Sequence, residues 1–303
     1  MAYGILFPGQ GSQTIGMGEE VFSLNPALGD RASEILGFDL VELCLRGTDD
    51  ELTRTENAQP ALFVVAYGTW LAFAEAVDTP PAGAAGHSLG EYTALTAAGA
   101  LDFDTALRLV RERGKAMAAA AQENPSAMAA LLGADADLAE QICEDRRNSG
   151  GELWVANLNA PGQTVVAGST SDIDWLVAGA RELGVRRAIP LKVAGAFHSP
   201  LMAPAIDILA PHLEAAALSD PDFPVWANVD AVPASDVADA LRRQVTGTVR
   251  FAESLAAMYE AGITTFVHVG PGDVTAGMVK RSVPEAAMAV VSAPGDLDEL
   301  PDL

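Results

Sequence analysis

Cysteine, histidine and basic residues are scarce in this chain of 303 residues, and each scarcity excludes something. Cys44 and Cys143 are the only cysteines, too few for a disulfide scaffold, which points to a reducing cytoplasm. Two lone cysteines and four scattered histidines give no zinc-ligand spacing, so no metal is expected. No motif asks for a cofactor either. "PGQGSQTIG" places glycines at 9, 11 and 16, which fits neither a dinucleotide fingerprint nor a phosphate loop with its lysine. Only 18 lysines and arginines stand against 41 acidic residues, a formal charge of −23, which argues against nucleic acid as a partner. Long apolar runs are also missing. None reaches the ~20 residues of a membrane helix, because charges, glycine or proline break the alanine-rich stretches. The opening "MAYGILFPGQG" has no basic stretch before its brief apolar run, so no secretory leader is expected. Nothing in the sequence demands a dimer, and a monomer is expected.

What is present is a folded chain, 50% hydrophobic and long enough for one large domain or two smaller ones. Up to about residue 120 it alternates strand and helix. "YGILF" is a strand running into the turn "PGQGSQ". The segment from 60 to 76 reads as a helix opened by Pro60. "AGAAG" has poor strand propensity, and only its position suggests a buried strand before Ser88. From Asn124 the pattern becomes β-α-β-β-α-β, the order of a ferredoxin-like unit. This unit, 124–192, is inserted between 1–123 and 193–303. The acidic end "GDLDELPDL" is expected to be a loosely held tail.

Gly86-His87-Ser88-Leu89-Gly90 matches G-x-S-x-G, a sharp strand-to-helix turn that exposes its serine. His87 is the adjacent candidate base, but neighbouring side chains diverge, so a structural role is the better reading. His212 reads as surface and His268 as a satisfied core or rim residue. His198, in "GAFHSPLM", follows a small-residue stretch and precedes a proline-marked helix start, where a sheet enzyme presents a base. The helix around "FDTALRLVRERGKAM" has an apolar face of Phe103, Ala106, Leu107, Val110 and Met117. Arg113 falls within that face. It is either one partner of a buried salt bridge or a guanidinium fork that holds a carboxylate.

Six segments, "FPGQGSQ", "GHSLGEY", "RGKAM", "NAPGQ", "GAFHSPLM" and "VGPG", stand in order along nearly the whole chain. Together they resemble the malonyl-CoA:acyl carrier protein transacylases. The resemblance implies an α/β fold, an α/β-hydrolase-like large domain with an inserted ferredoxin-like small domain. It implies malonyl transfer from malonyl-CoA to the phosphopantetheine thiol of an acyl carrier protein. Carried over by position, it makes Ser88 the nucleophile and His198 its base, oriented by a backbone carbonyl near Gln244. It gives the oxyanion to the N–H groups of Gln10 and Leu89, and the malonyl carboxylate to Arg113. Met117, Phe197 and Gln10 would line the acyl site, and Asn159 and Gln163 the cleft. An aromatic residue at 197 goes with malonyl rather than methylmalonyl units. The chain departs from the family at Thr248 and Phe251, where proline and tryptophan are common.

The resemblance implies a pathway of fatty acid biosynthesis, with polyketide carrier loading as the alternative. A serine hydrolase would share the elbow and the histidine but would have no use for a buried arginine. Carrier proteins are usually acidic, as this chain is. The least acidic stretch is 124–192, with six basic and nine acidic residues. Its Arg186, Arg187 and Lys192 mark the expected docking edge.

Overall fold

In a computed structural model, residues 2–300 are described. In chain order, β1 (Tyr3–Phe7) leads into α1 (Glu19–Leu24), α2 (Pro26–Leu36), α3 (Leu40–Arg46), α4 (Asp49–Thr53) and α5 (Thr55–Ala76). β2 (Gly83–Gly86) is followed by α6 (Gly90–Ala97) and α7 (Phe103–Glu123). Next come β3 (Ser126–Leu132), α8 (Ala136–Asn148), β4 (Leu153–Ala160), β5 (Gln163–Ser169), α9 (Thr170–Gly179) and β6 (Arg187–Pro190). The remainder is α10 (Ala203–Ala215), β7 (Val225–Trp226), α11 (Val237–Gln244), α12 (Phe251–Glu260), β8 (Thr265–Val269), α13 (Val274–Ser282) and β9 (Ala287–Val291).

Among the described residues the strands form two sheets, a five-stranded parallel one ordered β7-β2-β1-β8-β9 and a four-stranded one ordered β4-β5-β3-β6. The pairings of the second sheet are antiparallel. Parallel strands buried on both faces read as continuous apolar or small-residue runs. β1 is buried at every residue, and so is the "GAAG" of β2. Register then places the loops. Phe7 pairs with Gly86 and Leu6 with His268, so the chain leaves β1, β2 and β8 at one edge of the sheet. The carboxyl edge of a parallel sheet is where such folds bind ligands. Three of the six segments singled out in the sequence meet there.

The antiparallel sheet has its own core, built from Leu131, Ile142, Leu153, Val166 and Leu176 among others. It is tied to the rest by a short bridge. Leu158 N–H donates to the Val249 carbonyl at 2.8 Å, and Val249 N–H to that of Ala156 at 2.9 Å. Thr248 Oγ1 donates to the Val155 carbonyl at 2.8 Å.

Two expectations fail. Pro60 does not open α5, which begins at Thr55. The helix is already formed before the proline, with Asn57 and Ala58 N–H both donating to the carbonyl of the N-cap Arg54 and Asn57 Nδ2 to that of Glu51. The acidic end is not loose either. Pro294–Glu299 forms a 3-10 turn, and Asp296 Oδ2 accepts from Ser292 N–H at 2.8 Å and Ala293 N–H at 3.0 Å. Gly295 N–H donates to Glu20 at 2.6 Å. Positions 301–303 of that segment lie outside the described residues.

Candidate active site

Ser88 sits between the end of β2 and the start of α6 with φ of +52°, a left-handed conformation that costs a non-glycine residue of order 1 kcal/mol or more. The turn is tight. A Cβ on Gly86 would lie 1.9 Å from the Gly90 carbonyl carbon, and one on Gly90 would lie 2.5 Å from the Phe7 oxygen. Both positions therefore require glycine. The turn is clamped by Asn228, whose Oδ1 accepts from Ser88 N–H at 2.7 Å while its Nδ2 donates to the Gly86 carbonyl at 2.8 Å.

His198 also has a left-handed backbone, with φ of +60°. Ala196 N–H donates to Ser126 Oγ at 3.1 Å, and Ser199 Oγ donates to the Ala196 carbonyl at 2.6 Å, which pins the loop. The ring lies with Nε2 2.7 Å from Ser88 Oγ and Nδ1 2.8 Å from the Gln244 carbonyl oxygen. Gln244 ends α11, and the last carbonyls of a helix have no intrahelical partner. Such an acceptor fixes the tautomer: the hydrogen sits on Nδ1, and the lone pair of Nε2 faces the hydroxyl. Burial first, and the nearby Arg113 charge second, push the His198 pKa down to about 3. The imidazole is neutral at physiological pH.

Arg113, on α7, is 1% exposed. Its Nη1 donates to Gln59 Oε1 at 2.7 Å, and its Nη2 to Gln244 Oε1 at 2.8 Å and to Ser88 Oγ at 3.0 Å. The guanidinium also lies 5.5 Å from the Tyr92 ring centroid, within cation–π range. Among the described residues no carboxylate forms an ion pair with it, and its buried Nε has no hydrogen-bond partner. The salt-bridge alternative is thus not what the fold holds. The cation is kept buried by neutral amide oxygens.

These groups open into a cleft between the two sheets, whose wall includes Gln10, Met117, Phe197, Asn159 and Gln163. Gln10 Nε2 donates to Thr55 Oγ1 at 3.3 Å. Among the described residues the backbone N–H groups of Gln10 and Leu89 donate to no protein acceptor. His87 Nε2 lies 2.7 Å from Asn159 Oδ1 across the cleft, and its ring meets Phe251 edge-on at 5.3 Å. Its partners are Asn159 and Phe251, while the Ser88 hydroxyl is met by His198 and Arg113. Phe251, where the resembled family often has tryptophan, keeps an aromatic against that histidine. His268 is fully buried and bonded to Thr275 and Gly270, and His212 is exposed.

Four buried residues around the site were not singled out from the sequence: Gln59, Asn228, Glu91 and Tyr92. Gln59 and Asn228 sit in stretches with no motif of their own. Glu91 had a signal, a charged side chain on a helix that is otherwise buried through its first two turns.

A family model described as an acyl transferase domain matches residues 5–295. The malonyl CoA-acyl carrier protein transacylase of Bacillus subtilis is 43% identical over 97% of this chain and 94% of that protein. That of Escherichia coli K12 is 37% identical over 96% of each. Among solved structures, an acyl-carrier-protein S-malonyltransferase from Burkholderia pseudomallei superposes with a TM-score of 0.93 at 40% identity, covering 99% of both chains. A malonyl-transacylase solved in complex with its type II PKS acyl-carrier protein matches with a TM-score of 0.92 at 35% identity over 98% of both chains.

Proposed function

The chain belongs to the acyl transferase family, among the malonyl-CoA–acyl carrier protein transacylases, and from that premise we propose how its own residues perform the transfer. The carrying observation is the buried Arg113, unpaired with any carboxylate among the described residues, with Nη2 3.0 Å from Ser88 Oγ. A malonyl thioester offers a free carboxylate a few bonds from its reacting carbonyl. The guanidinium holds that carboxylate, and its unpartnered Nε supplies one of the two parallel donors.

His198 Nε2 takes the Ser88 proton while Oγ attacks the thioester carbonyl carbon. The carbonyl oxygen becomes the oxyanion and accepts from the free N–H groups of Gln10 and Leu89. The tetrahedral intermediate collapses by breaking the C–S bond, and coenzyme A leaves as a thiol with the proton returned from His198. A malonyl-serine ester remains. In the second half the carrier thiol gives its proton to His198 and attacks that ester, and the Ser88 oxygen leaves and is reprotonated. The scheme is ping-pong. The Gln244 carbonyl does the orienting done elsewhere by a carboxylate, and it suits a base that must cycle through a cation without keeping it. Met117 and Phe197 form the apolar side of the acyl site, and Phe197 leaves little room for a branched unit.

The reaction needs no cofactor or metal beyond the coenzyme A thioester substrate. The finer architecture is read as an α/β-hydrolase-like domain, 1–123 and 193–303, interrupted by a ferredoxin-like unit, 124–192. The strand order β4-β5-β3-β6 with both helices between strands supports the second part. The enzyme serves fatty acid biosynthesis as a cytoplasmic monomer. Both cysteines are buried and free, and no helix of the described residues is long and apolar enough to cross a membrane.

Carrier docking falls on the outer strand β6 and the segment after it. Arg186, Arg187 and Lys192 are exposed, and none of them forms an ion pair among the described residues. Lys192 sits between Leu191 and Val193, which both line the cleft, so an acidic carrier seated there points its arm at Ser88. The test is transfer to a holo-carrier protein followed by intact mass. The carrier gains a malonyl unit only with enzyme and malonyl-CoA present, and a carrier lacking phosphopantetheine gains none. Changing Arg186 and Arg187 to glutamate raises KM for the carrier about tenfold and leaves malonyl loading of Ser88 from coenzyme A unchanged. Equal effects on both halves would place docking elsewhere.

A further inference from the structure

Glu91 is a buried carboxyl that the transfer chemistry does not use. It is 1% exposed and lies on α6, one turn past the nucleophile. One of its oxygens, Oε2, accepts from Gln244 Nε2 at 2.6 Å and from Asn228 N–H at 3.2 Å. Both partners belong to the active site. Asn228 clamps the Ser88 turn, and Gln244 offers its backbone carbonyl to His198 and its side-chain oxygen to Arg113.

The donor and acceptor chemistry leaves Gln244 one orientation. Arg113 only donates, so the amide oxygen must face it. An ionised carboxylate only accepts, so the amide nitrogen must face Glu91, and the same nitrogen also donates to the Ser88 carbonyl at 2.9 Å. Turning the amide over would set donor against donor at Arg113 and oxygen against oxygen at both other contacts. A hydrophobic residue at 91 would pack as well on a buried helix, yet it would leave Gln244 Nε2 and Asn228 N–H each short of an acceptor.

We propose that Glu91 is a positioning residue: its carboxylate locks the Gln244 side chain, and through it holds Arg113 and His198 in register with Ser88. This rests on the transacylase reading above. The lock depends on ionisation. Burial raises the Glu91 pKa, and the bonds from Gln244 and Asn228 and the Arg113 charge only partly offset it, leaving it at about 7. The charged groups facing it are Arg113 from α7 and Asp230 from the segment before α11, with the Tyr92 phenol beside it. His198 lies beyond Gln244 and titrates at about 3. An acid limb near neutrality in the loading rate therefore belongs to Glu91 and not to the base.

The test measures rapid loading of Ser88 from malonyl-CoA and acetyl-CoA, across pH, in wild type, Glu91→Gln, Gln244→Met and the double variant. Wild type loading malonyl in preference to acetyl secures the underlying reading; preference for acetyl would sink that reading whatever Glu91 does. Glu91→Gln, nearly isosteric, lowers malonyl loading above neutrality about tenfold, lowers acetyl loading less, and flattens the acid limb. The double variant is no slower than Gln244→Met alone, because both changes break one connection. Multiplying losses, or a Glu91→Gln enzyme with wild-type rate, selectivity and pH profile, would overturn the proposal. Should Glu91→Gln not fold, Gln244→Met decides it alone. Loss of the acid limb supports the lock, and its retention refutes it.

Discussion

Replacing Arg113 with alanine is expected to slow malonyl loading of Ser88 by about 10²–10³-fold while changing acetyl loading only a few-fold. The malonyl carboxylate must leave water to reach the site, and a buried guanidinium is the group that compensates for it there. Acetyl has no such group, so it loses only what Arg113 contributes through Ser88 Oγ and Gln244. The substitution also strands Gln59 Oε1 and Gln244 Oε1, which accept from Arg113 at 2.7 Å and 2.8 Å. Thermal unfolding should accompany the kinetics for that reason. Arg113→Lys separates charge from shape: it keeps a cation but cannot form two parallel bonds, and should recover only part of the malonyl rate. Equal losses for both donors in Arg113→Ala would make the arginine a structural element.

Replacing His198 with alanine is expected to lower both half-reactions by about 10³-fold. Loading and discharge should fall together, because one imidazole takes the proton from the serine in one direction and from the carrier thiol in the other. The sign of its pH dependence follows from its burial. Its folded pKa of about 3 lies below the usual histidine value. Its contribution to stability is complete above about pH 6.5 and is lost as pH falls toward 3. Glu91 runs oppositely. Its folded pKa of about 7 lies above the usual 4.5, so its contribution is complete below 4.5 and is lost as pH rises through 7. The neutral His198 imidazole remains competent throughout the range where the enzyme works. A loading rate that tracked a group near 6.5 in wild type and equally in Glu91→Gln would contradict this assignment.

The site was legible in the sequence where a local rule had to be broken. Glycines at 86 and 90 flank a serine because the turn has no room for a Cβ. Arg113 stood out because a charge interrupts an apolar stripe with helical spacing. His198 stood out through the proline-marked break after it. The second sheet was legible because alternating segments and turn residues recur through it in order. The partners that hold these groups were not. Gln59 and Asn228 are ordinary polar residues whose role exists only when α5 and the segment after β7 arrive at α6 and α7. A proline normally marks a first turn, so the sequence alone points to Pro60 as the start of α5, whereas the turn before it is already helical, with Asn57 and Ala58 N–H bonded to the carbonyl of the N-cap Arg54. The acidic terminal segment read as loose on composition, yet Asp296 caps its own turn and Gly295 reaches Glu20.

Both halves of the transfer pass through the covalent malonyl-serine intermediate. Intact-protein mass spectrometry after brief exposure to malonyl-CoA, acetyl-CoA or methylmalonyl-CoA, in wild type and Ser88→Ala, tests it directly. A malonyl adduct is expected on wild type, little from the other two donors, and none on Ser88→Ala. An adduct that survives in Ser88→Ala, or an acetyl adduct as abundant as the malonyl one, would contradict it.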